Sequence, residues 1–554
     1  MDNSRLLVSI LIVLGVLFLY QELLQWRYPN LYGPNARHGQ TEKPSTATPH
    51  PPPRVEPAPS TEVAKLPPIS PHALTANARV IKVETNYYEA LLTSRGARIA
   101  SFKLKKYRQT DAPNSPPYEM ILPGDRLPMG LTVTRGSDTL DDAAIAYTTE
   151  APSAIEVTPD HSATVTFVGY DNGLKIEKSF TFEDSSYVFA LNARTTPEKG
   201  PAPSGIGLTM SQPLKELSGY RDYPMLQADV GGKALNEGEK PLQKGVPPAS
   251  GTITYAGFGD RYFLAAFLPR KPDTGRLVMN YAGDEAHAQL QFEHADSVSS
   301  RVYMGPKELH TLEAADPALS KSLDLGYFGV IALPFLRVLK LFYRIAPNYG
   351  VAIILLTVVV RLVTLPMSIK GQRSMMKMQR LQPQVERIRE KFKDDQERLN
   401  REMVELYKRN HVNPLGGCLP MVIQFPVFIG LYEALLNAVD LRNAPFIGWI
   451  RDLSAPEFLP VQGLTIPFTN LHGIPVLVIL MAATALLQQW ISPRNPDPSQ
   501  QKMMMYMPVL FSLFFVELPA GLSLYYFASN VLGVIQQFIL NREFKQYTPV
   551  TTTT

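Results

Sequence analysis

Residues 349–367 decide the fold, because they read YGVAIILLTVVVRLVTLPM, an apolar run of the length that crosses a bilayer. Arg361 lies inside this run. A guanidinium at the centre of a membrane helix costs roughly 2.5–3.5 kcal/mol on insertion scales. Chains keep such a charge where a water-filled cavity or a partner receives it. The stretch therefore predicts a membrane helix that carries a functional cation.

The residues after this run set its orientation. Four basic residues follow it closely, and loops on the cytoplasmic side of a membrane are enriched in Lys and Arg. They are Lys370, Arg373, Lys377 and Arg380. We therefore predict a second transmembrane helix at residues 347–370, with its C-terminal end in the cytoplasm.

Other apolar segments predict a multipass α-helical membrane protein. Residues 1–28 contain the first segment, and no small-x-small cleavage site follows it, so we expect an uncleaved anchor. Residues 418–541 supply four more spans, and residues 542–554 form a tail. Six spans with both ends in the cytoplasm agree with the positively charged loop after the second span. The last four spans are predicted at 418–438, 471–491, 503–518 and 521–540.

The polar middle of the chain divides into a linker and a β domain. Residues 29–75 are rich in proline and poor in large apolar residues, so they cannot bury a core. Residues 76–320 show short alternating strands. Asp171-Asn172-Gly173 separates two of them and is a strong hairpin signal. We expect an all-β sandwich outside the cytoplasm, serving as a scaffold or docking domain.

Two helical segments flank the second span. Residues 321–346 predict an amphipathic helix that lies in the membrane interface. Residues 371–417 predict a cytoplasmic helical hairpin, since 370–413 hold twelve basic and seven acidic residues. The hairpin is either a docking surface or a solvated loop whose charges pair along its helices. The candidate docking residues are Lys377, Arg380, Arg387, Arg389 and Lys391.

Composition and motifs exclude several classes of function. The formal net charge is only +4, and no nucleic-acid motif is present. Cys418 is the single cysteine, which excludes an intramolecular disulfide and a cysteine-based zinc site. The sequence contains no P-loop, no HExxH motif and no acid–base pair near the membrane. We therefore predict a protein that is not an enzyme and has neither a metal nor a cofactor.

Polar side chains within the spans predict a wet groove. Arg361 lies about 13 Å from Lys370 along a helix, and Gln424 lies about 9 Å from Cys418. Both therefore fall in the cytoplasmic half of the bilayer. Several polar groups at partial depth favour a water-filled groove over positions that face lipid. The other candidates are Thr357, Tyr525, Tyr526, Ser529 and Asn530.

Each candidate also has a structural interpretation. Arg361 could extend to the inner headgroups, and Gln424 could hydrogen-bond a neighbouring helix. Thr357 could bond its own helix backbone, and Tyr525 and Tyr526 could be interfacial belt residues. A transporter of an anionic solute with a periplasmic capture domain is the rival function. The sequence lacks the internal repeat that transporters use.

Three stretches resemble the YidC membrane protein insertases of Gram-negative bacteria, within the wider Oxa-type family. They are NPLGGCLP at 413–420, QFP at 424–426 and GLSLYY at 521–526. The resemblance implies a periplasmic β-supersandwich and a five-helix core, with a groove open to the cytoplasm and to lipid but closed outward. It places the groove arginine at Arg361, with Thr357, Gln424, Tyr525 and Tyr526 as further groove residues.

The resemblance also implies partners and a location. An insertase of this family receives nascent membrane proteins in the bacterial inner membrane, alone or with the Sec translocon, and ribosomes dock on its cytoplasmic side. Two features depart from the family pattern. Glu433 and Glu517 are acidic, and the tail holds only Arg542 and Lys545 as bases. The hairpin is therefore the better candidate for ribosome docking.

Overall fold

The computed structural model describes most of residues 78–546. It has two compact units, one ending at Leu323 and one beginning at Asp324. The predicted anchor and linker, the motif at 413–418 and the last eight residues lie outside the described residues. The internal gaps are 113, 123, 125, 137, 214–223, 283–284, 327, 394, 413–418, 462–472 and 493–497.

The first unit is built from strands in two sheets. The smaller sheet has the order β4-β3-β2-β1-β7, and the larger follows β6-β5-β11-β17-β16-β14-β15-β18-β10-β9-β8, with β12 and β13 attached to β14. Neighbours are antiparallel except β1 and β7. The strands are β1 (Val80–Glu84), β2 (Tyr88–Thr93), β3 (Arg98–Arg108), β4 (Pro117–Glu119), β5 (Gly130–Arg135), β6 (Asp138–Asp141), β7 (Ala154–Glu156), β8 (Ala163–Asp171), β9 (Leu174–Phe182), β10 (Val188–Pro197), β11 (Gly205–Pro213), β12 (Met225–Val230), β13 (Lys233–Glu237), β14 (Ala249–Gly259), β15 (Phe263–Lys271), β16 (Thr274–Ala282), β17 (Glu285–Glu293) and β18 (Ser297–Pro306).

Aromatic side chains join the two sheets. Tyr88 and Phe102 of the smaller sheet stack at 4.4 Å between ring centroids. Phe102 lies 6.1 Å from Phe189, and Tyr88 lies 6.4 Å from Phe182, both in the larger sheet. All four side chains are buried. The predicted β-sandwich is therefore confirmed, because these inward-facing rings form one core between the sheets.

The predicted hairpin is also present. Strands β8 and β9 pair from Asp171 opposite Leu174, so only two residues form the turn. Asn172 and Gly173 have φ angles of 45° and 71°. Positive φ at both turn positions is the geometry that Asn-Gly favours in two-residue hairpins.

A buried network of charges lies within this core. The amine of Lys178 is fully buried and donates three hydrogen bonds of 2.8 Å, to the carbonyls of Gly96 and Met129 and to the Asp142 carboxylate. Arg98 donates to Asp142 at 2.8 Å and to Asp141 at 2.9 Å. Asp142 thus lies between two cations and links β3 of the smaller sheet to β9 of the larger.

The Lys178 amine makes stability depend on pH. Burial lowers its pKa from 10.5 to about 8, although the Asp142 carboxylate acts against this shift. Between these values the unfolded chain binds more protons than the folded chain, so stability rises with pH. We expect the β domain to gain about 2 kcal/mol from pH 8 to pH 9.5. Urea unfolding followed by near-UV circular dichroism tests this, and Lys178→Met should remove the gain. An equal gain in that variant would contradict the assignment.

The helices of both units have the following bounds. Two short helices belong to the β domain and the others to the second unit. They are α1 (Glu239–Lys244), α2 (Leu309–Ala315), α3 (Gly329–Ile345), α4 (Tyr349–Arg380), α5 (Gln382–Lys391), α6 (Gln396–Arg409), α7 (Leu419–Asn437), α8 (Val476–Ile491), α9 (Pro498–Phe514) and α10 (Ala520–Gln546).

Helix α4 runs without a break from the predicted span into the predicted hairpin. It begins after Asn348, whose side chain accepts a hydrogen bond from the Val351 amide at 3.2 Å. It passes through Pro366 and continues to Arg380, ten residues beyond the expected end of the span at 370. The sequence from 371 to 380 contains no proline, so the helix continues to Arg380, and Pro383 then lies in the first turn of α5.

Helix α4 is also the one helix in the described part of the chain that is long and apolar enough to cross a membrane. Helix α8 and the segment Met505–Glu517 are apolar but shorter. The count of six spans stays a prediction. The second unit has one apolar core, to which α4, α7, α8 and α10 contribute. Its fully buried members include Ile353, Leu356, Leu431, Leu435, Leu477, Met481, Leu524 and Tyr525.

Helix α3 occupies the segment predicted to be interfacial. Leu339 is buried against the core of the second unit, with Phe335 and Phe342 packed beside it. Its opposite face exposes apolar side chains, with Leu341 at 54% and Ile345 at 70% of full exposure. A helix with one packed face and one exposed apolar face suits a position in the interface, which stays a prediction.

Candidate functional site

Arg361 is held by a single residue of another helix. Its Nε donates to the Ser529 hydroxyl at 2.8 Å, and Nη2 donates to the Ser529 carbonyl at 2.6 Å. Ser529 is buried in α10, while the Arg361 side chain is half-buried. Because both bonds go to one residue, the guanidinium is fixed against α10 instead of extending along α4.

The charge of Arg361 has no carboxylate partner among the described residues. Guanidinium carries five N–H donors, and the two bonds to Ser529 use two of them. A desolvated cation whose charge is not balanced attracts an anion more strongly than it would in water. The site can therefore receive a carboxylate from outside the chain.

Two further candidates lie beside this pair. Gln424 of α7 donates from Nε2 to the Tyr525 hydroxyl at 2.9 Å. Tyr525 is 1% exposed and stands one helical turn before Ser529 on α10. The structure thus brings Arg361, Ser529, Tyr525 and Gln424 together, in one polar row that crosses from α4 through α10 to α7.

The remaining candidates make other contacts. The Thr357 hydroxyl is fully buried and donates to the Ile353 carbonyl of its own helix at 2.7 Å. This is the structural interpretation given above for that residue. Asn530 donates to the Met481 carbonyl at 3.2 Å, which ties α10 to α8. Neither side chain joins the polar row around Arg361.

Tyr526 belongs to an aromatic cluster. Its ring lies 4.9 Å from Phe515, 5.5 Å from Phe428 and 5.8 Å from Phe511, all in edge-on arrangements. The four rings join α7, α10 and the end of α9. Tyr526 thus packs against these rings, which lie beside the polar row, and its role as a groove residue stays a prediction.

A second polar group was not found by reasoning from the sequence. Gln536 of α10 donates to Ser368 at 3.0 Å and to Gln372 at 3.2 Å, both on α4. Ser368 follows Arg361 by seven residues, and Gln536 follows Ser529 by seven, so each pair shares a helix face. The polar row therefore continues from Arg361 toward the basic hairpin. The signal was available as Gln536-Gln537, two amides in an apolar span.

The hairpin presents basic side chains to solvent. Helices α5 and α6 form it, and Met378, Leu381 and Val412 pack at its base. Asp395 caps α6 by accepting from the Arg398 amide at 3.0 Å. Arg389 is half-buried. The exposed candidates are Lys377, Arg380, Arg387 and Lys391.

The two unexpected acids lie at the end of the bundle opposite the hairpin. Glu433 is 7% exposed and accepts from Asn437, one turn further along α7, at 3.3 Å. Glu517 is exposed after the end of α9. Neither lies in the polar row. Among the described residues, no group of three or more His, Cys, Asp or Glu side chains could hold a metal ion.

Two family models match the chain and together cover most of it. The model described as "60Kd inner membrane protein" matches residues 341–547, and "YidC periplasmic domain" matches residues 80–338. The boundary between the matches falls near the junction of the two compact units. The chain thus combines a membrane core with a periplasmic β domain.

Curated relatives agree with these matches over the whole chain. "Membrane protein insertase YidC" of Syntrophobacter fumaroxidans is 36% identical over 83% of this chain and 86% of its own length. The protein of the same name from Syntrophus aciditrophicus is 33% identical over 98% of this chain and 100% of its own. A solved structure titled "Active YidC insertase" covers 85% of this chain and 95% of its own at 18% identity, with a TM-score of 0.37.

The fold and the matches define an inner membrane protein with a periplasmic β domain. The chain belongs to the YidC family.

Proposed function

We propose that this chain is a membrane protein insertase, which places other proteins in the bacterial inner membrane without chemical catalysis. The relatives that bear that name match this chain over 86% and 100% of their own lengths. The observation that carries the proposal is Arg361: a half-buried cation in an apolar helix, bonded to Ser529 and to no carboxylate among the described residues.

The mechanism begins with capture of an acidic tail. A nascent protein with Asp or Glu near its N-terminus enters the groove from the cytoplasm, along the polar row of Gln372, Ser368 and Gln536. The free N–H groups of Arg361 then bind its carboxylate. Because the groove shortens the apolar barrier, the tail crosses less hydrocarbon than it would in lipid alone.

Two forces complete the insertion. The membrane potential, positive outside, pulls a negative tail outward by about 2.3 kcal/mol per charge per 100 mV. The apolar segment of the substrate leaves sideways along α7 and α9, and its burial in lipid releases about 25 cal/mol per Å². The exposed apolar face of α9, with Leu510 at 63% and Leu513 at 66% exposure, supports this exit.

The proposal includes the topology and the partners. We assign six spans, with both termini in the cytoplasm and the β domain in the periplasm. The exposed bases of the hairpin support docking of a ribosome on the cytoplasmic side. The Sec translocon is the other proposed partner. The phospholipid bilayer is also a proposed partner, because it receives the apolar segment of the substrate.

A series of substrate tails tests the mechanism. The protein is reconstituted in liposomes with a single-span substrate that bears two Asp in its N-terminal tail. Replacing both by Asn should slow insertion about tenfold, because about 1.4 kcal/mol of attraction to Arg361 is lost. The matched control carries the two Asp at its C-terminal end. Equal rates for the acidic and amide tails would contradict capture, and uptake of small anions by the same liposomes would favour the transporter.

A further inference from the structure

One loop meets three helix N-termini at the end of the bundle opposite the basic hairpin. Residues 438–460, which we call the outer loop, follow α7 and are described without a gap. Helices α4, α8 and α10 all begin at this end. The first N–H groups of a helix have no partner within the helix and need acceptors from elsewhere. The outer loop supplies acceptors for two of these helices and contacts the cap of the third.

The contact with α10 is made by the backbone. The Ala520 amide donates to the Ala455 carbonyl at 2.8 Å, and the Gly521 amide donates to the Leu453 carbonyl at 2.9 Å. Leu453 is fully buried in the core of the second unit. The loop is therefore docked on the start of α10 by hydrogen bonds and by apolar packing.

The contact with α4 is made through its N-cap. The Asn348 side chain donates to the Phe446 carbonyl at 3.1 Å while it accepts from the Val351 amide. The Phe446 ring lies directly against Gly350, so that a side chain at Gly350 would clash with it. The loop thus also covers the first turn of α4.

The contact with α8 is made by one carboxylate, beside a backbone bridge in which Leu459 and Ile474, just before that helix, exchange two hydrogen bonds of 2.8 and 2.9 Å. Glu457 is 6% exposed and accepts from the Leu477 amide in the first turn of α8. It also accepts from the Trp449 indole N–H at 2.6 Å. No cation bonds to it among the described residues. The positive end of the α8 dipole and the N–H donors of Trp449, Leu477 and Val478 compensate its charge.

The loop is also braced within itself. Asp452 accepts from the Asn443 amide at 3.1 Å, and from the Ser454 amide and hydroxyl at 2.8 and 2.7 Å. The Leu453 amide donates to the Ala444 carbonyl at 3.1 Å. The loop is thus held by its own hydrogen bonds as well as by its contacts with the three helix ends.

A groove that opens to the cytoplasm leaves only a short barrier against ions on its outer side. From these contacts we infer that the outer loop is the seal of that barrier, and that Glu457 is the positioning residue that locks it to α8. The inference rests on the proposed function, because a seal is needed only where a groove exists. It assigns Glu457 a role in excluding protons and ions, separate from substrate capture at Arg361.

Proton leak through liposomes that contain the full-length protein tests the seal. Glu457→Ala leaves the Leu477 amide and the Trp449 indole without an acceptor in a buried position. We expect the leak, followed with an internal pH dye, to rise about tenfold, equivalent to about 1.4 kcal/mol. Glu457→Gln keeps one acceptor oxygen and should leak less than Glu457→Ala. Both variants should still insert the acidic-tailed substrate when insertion is measured without an imposed proton gradient, because a leak can then dissipate nothing.

The control is Glu517→Ala, which removes an exposed carboxylate from the same end of the bundle and should leave the leak unchanged. Trp449→Phe removes one donor, and it provides a second test if Glu457→Ala does not fold. Unchanged leak in Glu457→Ala and Trp449→Phe overturns the seal, as does an equal rise in Glu517→Ala. Failure of the wild-type protein to insert the substrate would refute the proposed function instead, whatever the leak.

Discussion

Replacing Arg361 by Ala is expected to slow insertion of an acidic-tailed substrate by about 10- to 100-fold. At 4 Å, a carboxylate and a guanidinium attract each other by about 1 kcal/mol in water and about 4 kcal/mol near a protein surface. The half-buried position of Arg361 lies between these limits, and each 1.4 kcal/mol changes a rate tenfold. The measurement is the fraction of substrate tail protected inside liposomes as a function of time.

Three comparisons separate capture from other effects. Arg361→Lys keeps the positive charge, so most of the activity should return. The recovery should be incomplete, because a lysine amine cannot make both bonds to Ser529. Arg337→Ala removes an exposed arginine of α3 and should have no effect. Arg361→Ala should not change the insertion rate of the amide-tailed substrate, because that substrate has no carboxylate for Arg361 to bind. If the acidic and amide tails lose activity equally in Arg361→Ala, the residue acts through the structure of the groove and not through capture.

Much of the fold could be predicted from local patterns. The turn at Asn172-Gly173 follows from backbone preference alone, and the apolar run at 349–367 follows from period and length. The sheet order could not be predicted, because β11 pairs with β5 and β17, which are distant in sequence. That one helix joins the predicted span to the predicted hairpin could not be predicted, because a change from apolar to basic residues marks a membrane boundary and does not show whether the helix continues.

For the candidate site, the sequence indicates candidate residues but not their partners in the fold. The cost of burying a charge identifies Arg361 from the sequence alone. Its partner Ser529 lies 168 residues away, and only the packing of α4 on α10 brings them together. Thr357 and Tyr526 have the chemistry of a groove residue, but the Thr357 hydroxyl bonds the Ile353 carbonyl of its own helix and the Tyr526 ring packs in an aromatic cluster, contacts that residue type does not reveal. Residue type restricts the candidates, while tertiary contacts select among them.

Replacing Asp142 by Ala is expected to destabilise the β domain by about 3–5 kcal/mol, the largest loss that we predict for a single substitution there. The change removes the carboxylate that lies between Lys178 and Arg98, and both cations stay in a buried site. Asp160→Ala, at an exposed position, should cost little and serves as the matched control. Urea unfolding followed by near-UV circular dichroism measures both.

A second substitution shows whether the loss of stability comes from the unpaired buried cations or from the lost hydrogen bonds. If the buried cations are the cause, Lys178→Met in the Asp142→Ala background should restore part of the stability, because it removes one of them. If lost hydrogen bonds are the cause, the second change should cost more, since the carbonyls of Gly96 and Met129 then lose their donor. We expect partial recovery, because an unpaired buried charge is more costly than an unpaired carbonyl.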